Sequence, residues 1–504
     1  MTRRGRIAIG LGALAAMAGC VVGIAVSSRP PAVTDAQLVD RAAAIRPDYA
    51  GVAIPPNIAP LNFVVLEPGR RYEVRIGSAR GRPIRIRSAS PGIVIPPRRW
   101  RELLSANRGE ALRFEVCVQA EAGRWRRFRP IVNTIAPEPI DGHLVYRLIR
   151  PLYNLYRDVG IYQRELGTYA ESLVLHSRTF QHGCVNCHTF LNHRTDRMLL
   201  HIRGRAGVAM LMGGGGKVTR VDTRTKFNPS PAAYSCWHPS GKFVTFSVNK
   251  LKLFYHAAGE TRDVFDAASD MGNYLLPANA VKSTGKITQP QRLETFPNWA
   301  PDGRSLYFSS APRMDFRQYR QVRYDLIRLP YDPEADTWGS PQTVLSAREM
   351  NSSIVEPRVS PDGRYVMVCL CEYGGFPVYQ PSSDLHLLDL RTGRCRKLPV
   401  NSDRCESWHC WSSNSRWFVF ASKRRDGVFA KPYFSYLHPS GRAEKPFVLP
   451  QGDPEFYESF LKTYNVPELI AAPVPYSQRD FVRALSAGGA LTAEAVSGAT
   501  PKPQ

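Results

Sequence analysis

The feature that most constrains this chain is a short motif that returns four times. Trp237-His238-Pro239-Ser240-Gly241-Lys242-Phe243-Val244-Thr245-Phe246 is echoed by Trp299-Ala300-Pro301-Asp302-Gly303-Arg304-Ser305-Leu306-Tyr307-Phe308. Further copies are Val359-Ser360-Pro361-Asp362-Gly363-Arg364-Tyr365-Val366-Met367-Val368 and Trp411-Ser412-Ser413-Asn414-Ser415-Arg416-Trp417-Phe418-Val419-Phe420. Each is a tight turn, with glycine free to take positive φ, opening a strand of β-branched and aromatic residues. Later strands follow within a unit, such as Leu385-His386-Leu387-Leu388-Asp389-Leu390 before the turn Arg391-Thr392-Gly393-Arg394. A small sheet repeated every ~50–60 residues is the signature of a β-propeller blade. One blade cannot bury both of its faces, so the blades must ring an axis. The fold class expected is mainly β, a propeller of about five or six blades.

The motif resembles the Trp-Ser-Pro-Asp-Gly-Arg/Lys repeat of the TolB-like β-propeller family, over roughly residues 205–450. Trp237, Pro239, Gly241, Trp299, Pro301, Asp302, Gly303, Pro361, Asp362, Gly363 and Trp411 match it. The chain departs from the family at Val359, where the family has tryptophan, and at the last turn, where Ser413-Asn414-Ser415 replaces Pro-Asp-Gly. The resemblance implies recognition of proteins or peptides along the channel. The wider arrangement looks like bacterial exported propeller proteins that carry a cytochrome c motif.

That motif is Cys184-Val185-Asn186-Cys187-His188. Two thiols at this spacing can add across the vinyl groups of a haem, and the next imidazole then reaches the iron as proximal ligand. The expected cofactor is therefore covalent haem c on Cys184, Cys187 and His188, with Met198 as distal ligand. His176, His182, His193, His201, Met210 and Met212 are the other donors near in sequence. A C-x-x-C disulfide is the competing reading. Laid on the repeat, Phe190 falls at the Trp237 position, and Thr189, Cys236, Asn298, Arg358 and Cys410 become equivalent rim positions. Haem would then lie near the channel mouth. Strand repeats begin at once after His188, so there is no separate cytochrome domain of ~80–100 residues.

The 504 residues divide into several units. Residues 1–26 form a signal or membrane anchor, 27–60 a Pro-, Ala- and Ser-rich linker, and 61–135 a small β domain with a helix over Trp100–Ala106. Residues 136–188 form a helical or irregular connector bearing the haem motif, read from the aromatic spacing Tyr146, Tyr153, Tyr156, Tyr162. The propeller spans 189–470, and 471–504 is a disordered tail. Tyr457–Leu469 closes the ring as a strand or lies against it as a helix.

Three arginines precede an uncharged run from Ile7 to Val26, the polarity of an export signal. Cys20 lies in a lipoprotein-like Met-Ala-Gly-Cys. The expected location is the periplasm or the outer face of a bacterial membrane, anchored by this segment or lipidated at Cys20. A formal charge of +24 attracts acidic protein partners; an exported chain argues against nucleic acid.

Ten cysteines leave seven outside the haem motif and Cys20. Cys369-x-Cys371 and Cys405-x4-Cys410 lack histidines at zinc-finger spacing, and His409 is a lone neighbour. Glu356 and Asp362 read as blade-turn residues. No G-x-S-x-G elbow supplies a hydrolase nucleophile.

Three functions follow. The first is a membrane-tethered monohaem cytochrome that passes electrons to or from a protein partner. The second is a haem-free propeller scaffold for protein or peptide binding. The third is a haem-dependent oxidoreductase with a site in the channel.

Overall fold

A computed structural model describes residues 36–150, 158–204, 207–225, 228, 230–253 and 263–496. The leader, Cys20, Tyr153 and Tyr156 lie outside the described residues. None of the described helices is long and apolar enough to cross a membrane.

Six antiparallel sheets carry most of the chain. Their inner strands are Thr463–Ile470 (blade 1), Cys184–Leu191 (blade 2), Ala233–Trp237 (blade 3), Arg292–Trp299 (blade 4), Ser353–Val359 (blade 5) and Glu406–Trp411 (blade 6). Each inner strand touches the next, and that of blade 6 returns to that of blade 1, so the sheets form a closed ring. This is a β-propeller.

Blade 1 joins the two ends of the ring. Its inner strand comes from the C-terminal side and pairs antiparallel with His143–Ile149, which is followed by Gly160–Glu165 and Glu171–His176. The helical or irregular connector expected over 136–188 is therefore corrected: its described part is largely strand. Tyr146 and Tyr162 are cross-strand partners stacked at 6.5 Å, so their spacing reflects sheet pairing and not a helix. Thr463–Ile470 is the closing strand, preceded by a single helical turn at Phe456–Ser459.

The four repeats place the turn between inner and second strand. Gly241, Gly303 and Gly363 take φ of 68°, 69° and 71° there, and Ser415 takes 59°. The same bond closes each turn: Ser415 N–H donates to the Ser412 carbonyl at 2.9 Å, as Gly363 does to Ser360 at 2.8 Å. The divergent last copy thus keeps its geometry.

Residues 36–136 build a β module with a seven-stranded sheet and the helix Pro97–Ala106. Ala36–Ala42 pairs in parallel with Trp125–Arg129, and Tyr49, Val52, Ile54, Ile58 and Leu61 are buried, so the expected linker is part of this module from residue 36 onward. Its apolar core is continuous with blades 1 and 6 through Tyr464, Trp417 and Phe447. Trp417 Nε1 donates to the Glu138 carbonyl at 2.9 Å, fixing the contact.

The expected disordered tail is likewise corrected. Gln478–Ser486 is a helix with a Ser477/Asp480 capping box. Leu491–Thr492 and Glu494–Ala495 then add parallel fifth strands to the outer edges of blades 2 and 3.

Candidate functional site in the central channel

Every inner strand carries one non-glycine residue at positive φ: Cys187 (52°), Tyr234 (42°), Phe296 (54°), Glu356 (54°), Trp408 (47°) and Val466 (48°). At each of them the pairing with the second strand slips, which makes a β-bulge. Such a backbone costs on the order of 1–3 kcal/mol per residue and persists only where packing imposes it. Here the ring imposes it six times.

All six bulge residues line one cavity on the channel axis, with about 530 Å³ of empty space that includes open solvent at its mouth. Tyr234, Phe296 and Trp408 form its aromatic wall, with Tyr234 at 4.5 Å from Phe296 and 6.2 Å from Trp408 between ring centroids. Such a wall offers apolar area on a rigid frame.

One residue past the bulge stand His188, Ser235, Pro297, Pro357, His409 and Pro467; two past stand Thr189, Cys236, Asn298, Arg358, Cys410 and Glu468. Five of the latter are the rim positions read from the sequence. Two are paired across the ring: Arg358 Nη2 lies 3.1 Å from Glu468 Oε1.

The C-x-x-C-H run is thus the bulged inner strand of blade 2. Gly183 enters it where a Cβ would meet the Arg203 carbonyl at 2.7 Å, so only glycine fits. Paired residues share a sheet face. Cys184 pairs with Arg203 and Asn186 with His201; His201 Nε2 and Arg203 Nη2 both reach blade 3, at Ser235 and Ala232. Cys184 therefore faces blade 3, and Cys187 sits at the bulge bordering the cavity. Burial pushes the Cys184 thiol up. No disulfide joins the two thiols, and all nine described cysteines are free.

His188, beyond the bulge, turns to the opposite face, toward blade 1. It is 1% exposed, and neither ring nitrogen has a hydrogen-bond partner. Burial, with the Arg147 guanidinium, holds it neutral, lowering its pKa to about 3; the nearby Val145 and Val466 carbonyls act weakly the other way. Arg147 Nε beside it is also buried and unpaired.

Met198 pairs with Phe190 and is fully buried in the apolar layer between blades 1 and 2. It does not line the cavity, nor do His176, His182, His193, His201, Met210 or Met212. His176 instead lies 3.2 Å from Asp158, and His193 Nδ1 lies 3.0 Å from the Leu469 carbonyl.

The sequence left Glu356 in a turn and His409 alone. In the fold Glu356 is a fully buried bulge residue, not a turn residue, and burial lifts its carboxyl to about 7. Cys369 and His409 lie beside it.

The class defined by this ring is the β-propeller. Solved structures similar to the chain include a TolB-like protein from Agrobacterium tumefaciens, at 12% identity over 62% of this chain and 93% of that one, TM-score 0.37. Others are a prolyl endopeptidase, at 15% identity over 53% of this chain and 36% of that one, TM-score 0.34, and the Dos1 propeller, at 13% over 51% and 60%, TM-score 0.32. The chain thus spans about a third of that endopeptidase. No protein-family model matches the sequence, and no curated protein matches it.

Proposed function

We propose that the protein is an extracytoplasmic, membrane-tethered monohaem c-type cytochrome whose haem is held at the channel cavity by Cys184, Cys187 and His188. The observation that carries this reading is the His188 imidazole, buried with both nitrogens unpaired beside two free thiols. A buried polar group without a partner costs ~1–3 kcal/mol, which a bound iron would offset. The donor set fits the group in kind: two free thiols at C-x-x-C sequence spacing, a neutral imidazole and an aromatic-walled cavity.

When bound, haem c would supply one-electron redox chemistry. The chain's own residues do the rest. Burial keeps His188 unprotonated and ready to donate a lone pair. Cys187, at the bulge, is already beside the cavity. Cys184 lies on the other face of the strand from His188, so attachment requires the stretch from Gly183 to Cys187 to turn its first thiol inward. Tyr234, Phe296 and Trp408 give the cavity an apolar aromatic wall. The net charge of +24 steers an acidic protein partner toward the molecule. No donor for a distal position is assigned, because Met198 packs in the blade layer.

The test is production alongside a functioning haem-attachment system. A Soret band surviving acid–acetone extraction, with thioether-modified Cys184 and Cys187 by mass spectrometry, is the expected result. Colourless protein with free thiols overturns this reading in favour of a propeller scaffold that binds protein or peptide at the aromatic cavity.

A further inference from the structure

We infer that Glu356, Cys369 and His409 form a binding site for one divalent cation of zinc type, between blades 5 and 6 and open to the channel cavity. Glu356 is the blade 5 bulge residue, Cys369 lies on the second strand of the same blade (Tyr365–Cys371), and His409 follows the blade 6 bulge. All three are buried, and their donor atoms lie within 4.8 Å of one another. Among the described residues no other His, Cys, Asp or Glu cluster meets that criterion.

The separations fit a tetrahedral ion. Cys369 Sγ is 3.4 Å from Glu356 Oε2 and 3.7 Å from His409 Nδ1. Zinc bonds of ~2.3 Å to sulfur and ~2.0 Å to nitrogen or oxygen give ligand-to-ligand edges of roughly 3.5 Å. Two of the three edges thus already match a tetrahedral ion, and the third, from Glu356 to His409, lies within 4.8 Å.

The orientation of each donor agrees. His409 Nε2 lies 3.0 Å from the Met367 carbonyl, which can only accept, so Nε2 carries the proton and Nδ1 presents a lone pair toward the sulfur. Glu356 Oε2 accepts from the Trp408 N–H at 2.7 Å, which fixes the carboxylate. Glu356 Oε1 is fully buried with no partner, a second and independent sign of a missing ligand. The Arg358 guanidinium, whose charge acts on Glu356 and His409, is already engaged by Glu468.

On binding, the Cys369 thiol releases its proton to solvent and the thiolate sulfur bonds the ion. A thiolate and a carboxylate then balance the two positive charges. Three protein ligands leave a fourth position, and since Glu356 and His409 both line the cavity, a water or a cavity ligand can take it. None of this requires haem on blade 2.

The test uses the full chain, stripped with chelator and titrated with zinc by calorimetry. Cobalt is titrated into a Cys184→Ser/Cys187→Ser background, where no haem absorption interferes. One equivalent of zinc and a thiolate-to-cobalt charge-transfer band are expected. Cys369→Ser should abolish the band, and Glu356→Gln should weaken zinc at least tenfold while still accepting from Trp408. Cys395→Ser, on an outer strand, should change neither. Absence of stoichiometric binding, or a band undiminished in Cys369→Ser, overturns the site. A colourless wild-type protein would remove the haem reading and leave this result untouched.

Discussion

Blades 2 and 6 place a histidine at the same point of the ring, one residue past the bulge, and give it opposite surroundings. Each imidazole approaches the second strand of the preceding blade at the same register position. Met367 pairs with Arg358, two past its bulge, as Val145 pairs with Glu468. His409 bonds the Met367 carbonyl and looks onto Glu356 and Cys369. His188 lies near the Val145 carbonyl but not in hydrogen-bond geometry with it, and the positions equivalent to Glu356 and Cys369 hold Val466 and Arg147. One imidazole is oriented by a carbonyl and faced by a carboxyl and a thiol. The other has no well-formed hydrogen bond and is faced by a cation. The ring supplies a position, and the two neighbouring side chains decide which chemistry that position accepts.

The largest effect that could break this contrast is on the haem spectrum. In haem-loaded protein, His188→Ala should lose the proximal ligand and shift the Soret band, whereas His409→Ala should leave the band in place. A shift of equal size in both would end the distinction. A gain of function sharpens it further. Val466→Glu with Arg147→Cys copies the blade 5 donors beside His188, and the haem-free double variant should bind a second equivalent of zinc by calorimetry.

The smallest effect concerns pH. Burial holds both His188 and His409 to about 3 in the fold, against ~6.5 for a free imidazole. Their folded values are depressed, so their contribution is fully present above pH ~6.5 and is lost progressively as pH falls toward 3. The slope is ~1.4 kcal/mol per pH unit for each histidine. In protein free of haem and metal, His188→Gln or His409→Gln should flatten the pH dependence of urea stability between pH 6 and 4 by that one slope. An unchanged slope for either variant would show that its imidazole is protonated in the fold.

The sequence made the ring legible because its motif spans the turn between a blade's inner and second strands. Blade 1 lacked that signal for a physical reason. Its inner strand, Thr463–Ile470, is some 300 residues from its partner His143–Ile149, so no turn joins them and no motif can exist there. The edge strands at Leu491–Thr492 and Glu494–Ala495 were hidden because two-residue pairings leave no periodicity. The C-x-x-C-H pentapeptide was readable, but not the faces of its residues, since the bulge at Cys187 carries no glycine to mark it. Glu356, Cys369 and His409 come from three strands, so no spacing rule links them. A prompt did exist: a buried-strand histidine, His409, next to several cysteines.

Closure of the ring by Thr463–Ile470 also sets an order of events. The wall beside His188 includes Val466, which arrives almost last as the chain is threaded from its amino end. Until then, the side of blade 2 that carries His188, and the cavity edge at Cys187, lack that wall. If haem is attached as proposed, its loading belongs before the final strand docks, and a circular permutant that delivers that strand early should be loaded poorly.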